Sequence, residues 1–489
     1  MKVNGVKEVP TQEMPILERS KVTPSKRATP CSHNDIQTEK QTCHCHQETQ
    51  TSDHTISPIH TAHQTQLRIL LIVECSGGGT GRHVLDLAQG LLSRGHEVHM
   101  LYSTNRIDRM FQDRLAEIPN LHQAIVPMRT GPHPSDFSAV RAIRRYLRQN
   151  GPFNAIHGHS SKGGALARLA AVGTSVPSYY TLHGLIMMDP GLPKWKWLLY
   201  LTIELGLSLR TKNIIAVSPE ESRAAKKLGL GRARVITIPN GVGAPELTPR
   251  AEARRAIGVE ENAIVIGFVG RLVDQKAPDV LLTAFAATAK ITPNARLAMV
   301  GAGPLDEELR ALAARLNIAE KIIWLGERDA RGVLAGFDIF ALSSRKEGLP
   351  YVVLEAMAAA LPIVATTSAG VEILVIPNEN GHVAKTGDAN SFAQGLISLT
   401  TNPTRLATYG QASQKRAALF TIDNMVDQTI NAYRAAEEHG WHWQQYSVAR
   451  GLPASQQNTH GQASPLAHAT QQPTTPHPHR PRAIASVPV

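Results

Sequence analysis

Short, largely apolar runs recur along the chain and alternate with glycine- or proline-marked turns and helical patterns. A strand apolar on both faces must be covered on both, which a parallel sheet between helical layers provides and a half-solvated antiparallel sheet does not. The first run, 67 to 73, ends at Gly77, Gly78 and Gly79. Val84, Ala88, Leu91 and Leu92 then fall at i, i+4, i+7 and i+8 of a helix that stops at Arg94-Gly95, where a glycine C-cap fits. Residues 98 to 102 form the next strand. The alternation starts again at 264 to 269, passes through a helix opened by Pro278, and continues with runs at 297–300, 322–325, 339–342 and 363–366. The pattern predicts an α/β chain with two Rossmann-like parallel-sheet domains joined near residues 240 to 255. At 489 residues, 42% apolar, the chain has material for two cores.

The expected boundaries are a tail over 1–66, a first domain over 67–247, a second over 248–445 whose last helix is free to cross back, and a tail over 446–489. Thr, Gln, His and Pro dominate the first tail and Gln, Pro, His and Ala the second, a composition expected to be disordered. Within the first, Cys43-His44-Cys45-His46 offers ligand chemistry but adjacent residues, without the spacing of a zinc finger. Of the four cysteines, only Cys75 falls in a segment expected to fold, so no disulfide framework follows and a reducing cytoplasm fits. The apolar stretch at 198–209 is interrupted by Glu204 and falls short of the roughly 20 residues of a membrane span. The formal charge is +11, and residues 67 to 250 hold 23 basic against 12 acidic side chains. Such an excess suits nucleic acid, an anionic membrane or an acidic substrate, and charge alone does not choose among them.

The turn Gly77-Gly78-Gly79-Thr80-Gly81 lies between a strand and a helix, where backbone N–H groups and the positive helix end can cradle phosphate. Close packing of the turn is an equal alternative. A dinucleotide fingerprint fails, because the third glycine would have to stand at Arg82 and the second strand ends without an acidic residue. In the second domain Arg271 and Lys276 follow the first strand and emerge at the edge where doubly wound sheets bind ligands; two cations there suit a diphosphate. Glu347-Gly348-Leu349-Pro350 precedes a helix beginning near Pro350, so Glu347 stays on the loop while Glu355 sits in the second turn beside Leu354 and Ala356. A carboxylate among apolar neighbours calls for a ligand or a specific partner.

The segments GRLVDQKAPD, VGAGP, EGLPYVVLEAMAAALPIVAT and NENGHVAKTGDA resemble the second domain of the large family 4 of retaining GT-B glycosyltransferases, and GGGTGRHVLDLAQGLLSRGHEV, SPEESRAAKKLG and IPNGV resemble its first. The likeness spans roughly 67 to 440, and its E-x7-E motif is met by Glu347 and Glu355. It implies a nucleotide-sugar donor held mainly by the second domain, an acceptor held mainly by the first, and transfer in the cleft with retention at the anomeric carbon. It also implies that Arg271 and Lys276 bind the diphosphate and that Glu355 binds the ribose. Glu347 and the backbone at Gly348 and Leu349 would meet the sugar, Gly78 and Gly79 would approach the phosphates, and His183 would be the cleft histidine. No D-x-D occurs in residues 67 to 444, so neither metal nor cofactor is expected. Two departures stand out: Ala360 occupies a place usually held by glycine, and the loop before Glu372 lacks the usual proline.

On the acceptor side, Arg141, Arg144, Arg145 and Arg148 share a helical face, and Trp195 and Trp197 sit among lysines in Lys194-Trp195-Lys196-Trp197. Both patterns suit either a solvated surface or docking on an anionic membrane. The stretches HGHSSKGGALARLAA and TLHGLIMMDP resemble transferases that assemble exopolysaccharide repeat units, which implies a glycan or lipid-linked acceptor, no nucleic acid, and a cytoplasmic protein with peripheral attachment to the inner membrane face left open. A nucleotide-sugar 2-epimerase of the same architecture and a catalytically silent binding protein are the alternatives; the E-x7-E constellation of Glu347 and Glu355 argues against the first, and Arg271, Lys276, Glu347 and Glu355 occurring together argue against the second.

Overall fold

The computed structural model describes residues 65 to 435, apart from Pro190 and Ala233. The expected tails therefore lie outside the described residues, save Thr65 and Gln66. Two all-parallel sheets form the frame. The first contains β1 (Arg68–Val73), β2 (Glu97–Tyr102), β3 (His122–Ile125), β4 (Ala155–His159), β5 (Ser178–Thr181), β6 (Thr211–Ala216) and β7 (Arg234–Thr237), in the spatial order β3-β2-β1-β4-β5-β6-β7. The second contains β8 (Ile264–Val269), β9 (Ala295–Val300), β10 (Ile322–Gly326), β11 (Ile339–Leu342), β12 (Ile363–Thr366) and β13 (Gly381–Ala384), in the order β10-β9-β8-β11-β12-β13.

The apolar runs become the central strands for the reason their composition gives: in β1 every residue from Ile69 to Val73 is buried. Each sheet reverses its strand order once, between β1 and β4 and between β8 and β11. At such a switch point the loops leaving the two strands diverge and open a crevice at the carboxyl ends. The Gly77–Gly81 turn and His159 leave the first sheet there, and Arg271 and Glu347 leave the second. Val73 pairs in register with both Tyr102 and His159, so these strand ends lie level.

The final helix, Ile422–Arg434, returns to the first lobe. Its Met425, Val426 and Ile430 share a core with Val84, Leu87, Ala88 and Leu91 of the helix Gly78–Ser93. The apolar helix Lys194–Ser208 is anchored by a buried ion pair: both terminal nitrogens of Arg168 donate to Glu204, at 2.8 and 3.1 Å, while the guanidinium stacks 4.1 Å from the Tyr180 ring centre. Glu204, the charge that interrupts the apolar stretch, is thus the residue that ties this helix down. Among the described residues no helix is long and apolar enough to cross a membrane.

Ala360 takes φ +58°, in the left-handed region where a Cβ is unwelcome, just after the helix Tyr351–Ala358. That conformation costs an L-residue about 1–2 kcal/mol, against about 0.4–1 kcal/mol of unfolded-chain entropy that alanine saves relative to glycine. Ala360→Gly is therefore expected to stabilise the fold by roughly 0.5–1 kcal/mol, read as an increased midpoint in urea with an unchanged slope; a lowered midpoint would contradict the strain.

Candidate active site

The two lobes meet backbone to backbone. A Cβ built on Gly348 would lie 3.1 Å from the amide nitrogen of Gly184, so a side chain there would press on the loop after β5 and glycine suits the close approach of the two loops. Opposite it, His183 holds φ +53°, a left-handed conformation unusual for a side-chain-bearing residue. Glu221 enforces it. One carboxylate oxygen accepts the amides of Gly184 and Leu185, the latter at 2.9 Å, and the other accepts the amide of Val217 at 3.0 Å. Burial raises the pKa of this carboxyl, and the three amides oppose the shift.

A cavity of about 980 Å³ lies at the mouth of this contact, and Gly79, His183, Lys276, Glu347, Gly348 and Leu349 line it. The structure therefore brings together six of the residues picked from the sequence. Arg271, Gly78 and Glu355 lie outside this lining. Arg271 is exposed on the loop after β8 and makes no ion pair among the described residues. Gly78, at φ +54°, turns its amide toward Asp108, whose Oδ2 accepts it at 2.6 Å.

Cations and carboxylates of the site are already paired. Lys276 Nζ donates to Glu347 Oε1 at 2.6 Å. Glu355 is bound by the guanidinium of Arg82, which reaches across from the first lobe, and Arg82 also lies 4.9 Å from the Tyr351 ring centre. The partner that Glu355 requires is thus a side chain of the facing lobe. Asn240 bridges the lobes as well: its Nδ2 donates to Leu349 O at 2.9 Å and its Oδ1 meets His83 Nδ1 at 3.0 Å. Lys346 approaches Asp189 at 3.5 Å, and the Gly370 amide donates to Glu220 at 3.1 Å.

Four histidines cluster here, and of these His183 alone lines the cavity. His83, His157 and His159 are buried and His183 is half-buried. Burial holds His83 down to about 4 and His157 to about 3, and keeps His159 and His183 well below the usual imidazole range, so all four are neutral.

Of the side chains expected at a membrane, Arg141, Arg145 and Arg148 are exposed on the helix Asp136–Asn150 and Trp195 is 66% exposed. Two are engaged otherwise. Arg144 donates to the carbonyls of Leu169, Ala170 and Val172, satisfying the free C-terminal end of the helix Ser160–Ala171. Trp197 packs half-buried and donates Nε1 to Met187 O at 3.2 Å, because the helix turns that face toward the lobe.

Sequence reading missed Arg82, Glu221, Asn240, His83 and His159. Ser218-Pro219-Glu220-Glu221 carried a signal, since a serine followed three residues later by glutamate marks a capping box. Ser218 does cap, accepting the Glu221 amide at 3.3 Å, but the glutamate spends its oxygens on the His183 loop. Glu221→Ala should leave three amides without their acceptor and cost at least about 2 kcal/mol of stability, measured by chemical denaturation; a loss near zero would show that the carboxylate does not hold the loop.

Against known proteins, residues 77–244 match the model described as Glycosyltransferase Family 4, and residues 249–416 match the model for Glycosyl transferases group 1. A D-inositol 3-phosphate glycosyltransferase of Stackebrandtia nassauensis is 30% identical over 58% of this chain and 68% of its own length. The UDP-Gal:alpha-D-GlcNAc-diphosphoundecaprenol alpha-1,3-galactosyltransferase of Escherichia coli is 27% identical over 61% and 79%. In fold, the chain matches HepE of Anabaena in complex with UDP-glucose, with a TM-score of 0.65 at 22% identity over 76% of this chain and all of that one. Two Rossmann-like parallel sheets facing a cleft are the GT-B architecture expected from the sequence.

Proposed function

We propose, from the premise that the chain belongs to the glycosyltransferases built of family 4 and group 1 halves, that it moves a hexosyl unit from a nucleotide sugar to a lipid-linked glycan acceptor with retention at the anomeric carbon. The observation that carries this reading is the convergence of His183, Lys276, Glu347 and Gly348 on one cavity at the carboxyl ends of both sheets. Lys276 leaves Glu347 for the donor diphosphate, and Arg271, free on its exposed loop, swings to the same charge. Glu347 and the Gly348 and Leu349 backbone then meet the sugar hydroxyls, and Glu355 meets the ribose. The barrier lies in breaking the bond between the anomeric carbon and the diphosphate oxygen, and preorganised cations stabilise the charge that grows on that oxygen. The acceptor oxygen attacks the same face, the C–O bond to phosphate breaks, and the departing phosphate oxygen takes the acceptor proton.

The cavity also supports the acceptor class. Away from Lys276 and Glu347 its walls become apolar, with Leu166, Leu169, Ile203 and Leu207, as an isoprenoid or acyl chain beside a polar head would need. The named activity of the Escherichia coli relative, on a diphosphoundecaprenol-linked sugar, points the same way. We place the product among exopolysaccharide or other cell-surface glycan intermediates and the protein on the cytoplasmic face of the membrane. The reading is tested with purified protein, a panel of nucleotide sugars and a membrane lipid extract. Lys276→Ala is expected to lower turnover about 100-fold or more, the usual loss of one preorganised charge donor, and Glu355→Ala to weaken donor binding by about 1.5–3 kcal/mol in calorimetry. Wild-type turnover and affinity in these variants would end the assignment.

The exposed groups support docking on anionic lipid as part of this reading. Phe137 is 86% exposed on the helix that carries Arg141, Arg145 and Arg148, and Leu198 is 60% exposed beside Trp195. Each basic residue near an anionic surface contributes about 1 kcal/mol and is screened by salt, whereas apolar insertion is not. In co-sedimentation with anionic vesicles, replacing the three arginines by Gln should weaken binding mainly at low salt, and Phe137→Ser with Trp195→Ser should weaken it at every salt concentration. Trp197→Ser should alter stability rather than binding; equal loss from Trp197 and Trp195 would overturn this orientation.

A further inference from the structure

His83 from the first helix, His159 from the end of β4 and His183 from the loop after β5 stand in a triangle. Ring centres lie 4.5 Å apart for His83 and His183, and 5.4 Å for each of the other two pairs. One ring nitrogen from each lies within 4.8 Å of the other two. The closest approach, His159 Nδ1 to His183 Nε2, is 3.2 Å. Two nitrogens on one tetrahedral zinc, each at about 2.0–2.1 Å from the metal, are separated by about 3.3 Å. This hydrogen-bonded pair is therefore already spaced for a shared ion, which would take the place of the proton between them, and His83, within 4.8 Å, must draw closer to complete the set.

The protonation states fit. Asn240 spends its Nδ2 on Leu349 O, so its Oδ1 faces His83 and accepts from Nδ1–H, which leaves the lone pair on His83 Nε2. An amide that orients a histidine from behind is the usual outer support of a metal ligand. His159 is fully buried, and its Nε2 has no hydrogen-bond partner. With its proton on Nε2, His159 turns the Nδ1 lone pair toward His183 Nε2, where a shared cation would take the place of the nitrogen–nitrogen contact. The second cluster, Glu97 with His99 and His122, differs: both His99 nitrogens are taken, by Tyr146 OH at 2.9 Å and Glu97 at 3.0 Å.

We propose that His83, His159 and His183 form a site for a single divalent transition cation of the zinc class, with its open position toward the cleft. Three imidazoles without a carboxylate select zinc, cobalt, nickel or copper over magnesium or calcium. His183 is half-buried and lines the cavity, so a fourth ligand, water or a hydroxyl, can approach from that side. Resting on the glycosyl-transfer reading, the consequence is inhibition: a bound cation pins His183 and sets positive charge where the acceptor hydroxyl must approach.

The test is cobalt titration of the chelator-treated full-length protein, read by visible ligand-field absorption, which needs neither donor nor acceptor. One saturable equivalent, displaced by zinc and without thiolate charge-transfer bands, is expected. His159→Gln and His183→Gln should each abolish it, and Asn240→Ala should weaken it by about 10- to 100-fold, the usual range for an outer support. Variants of the tail run, Cys43→Ser with Cys45→Ser, and His122→Gln should leave it unchanged. Circular dichroism reports whether each variant is folded; His183, being half-buried, is the replacement least apt to disturb folding. Absence of a saturable band in the wild type, or a band that survives His183→Gln, would overturn the site. Either result leaves the transfer assignment standing, because that is decided by turnover in chelator.

Discussion

Backbone lies against backbone where the lobes meet, and the cleft depends on that contact. A Cβ on Gly348 would lie 3.1 Å from the Gly184 amide nitrogen, a contact to which the facing loop would have to yield. The approach requires the loop after β5 to hold a strained turn at His183, and a strained turn persists only where its surroundings over-determine it. Glu221 supplies the constraint from a helix start, with three amide contacts from one fully buried carboxylate. Once that loop is fixed, Gly348 and Leu349 are fixed opposite it, and Glu347 and the first turn of the Tyr351–Ala358 helix follow in sequence.

The frame was legible because its signal is local. A strand buried on both faces needs an unbroken apolar run, and the runs near 67–73, 339–342 and 363–366 are strands within a residue of their expected limits. The loop from Glu347 to Pro350 was legible for the same reason, since a proline fixes the helix start and hence the spacing from Glu347 to Glu355. What stayed hidden was long-range. Arg82 looked like a residue spoiling a glycine fingerprint, yet it crosses to Glu355, 273 positions away. His83, His159 and His183 are separated by 76 and 24 residues and converge only because β4 and β5 are adjacent strands beside the first helix.

Periodicity also does not tell which charged and aromatic groups a neighbour already engages. The arginines of the helix Asp136–Asn150 form one stripe in sequence, but the carbonyl end of the next helix takes Arg144 out of it. Trp195 and Trp197 are two residues apart and so face roughly opposite ways on a helix, one to solvent and one to the Met187 carbonyl. Counting lysines and tryptophans in a window cannot separate them; the 100° turn per residue can, once it is known which face the lobe covers.

The ion pairs within the cleft shape what a ligand has to do. Lys276 and Glu347 satisfy each other at 2.6 Å, and Glu355 is satisfied by Arg82, so neither carboxylate awaits its ligand as an unpaired buried charge. On the proposed transfer reading, a donor would bind by exchange: its diphosphate would displace Glu347 from Lys276, and the freed carboxylate would then require hydrogen-bond donors of its own. Sugar hydroxyls are such donors. A diphosphate without a sugar would recover only half of that exchange, since it would take the lysine and leave Glu347 stranded in a part-buried site, where an unpaired charge is costly. On that reading, recognition of sugar and diphosphate would be coupled through a single pair of side chains, and a preference for the intact nucleotide sugar over the free nucleotide would need no further device than this contact.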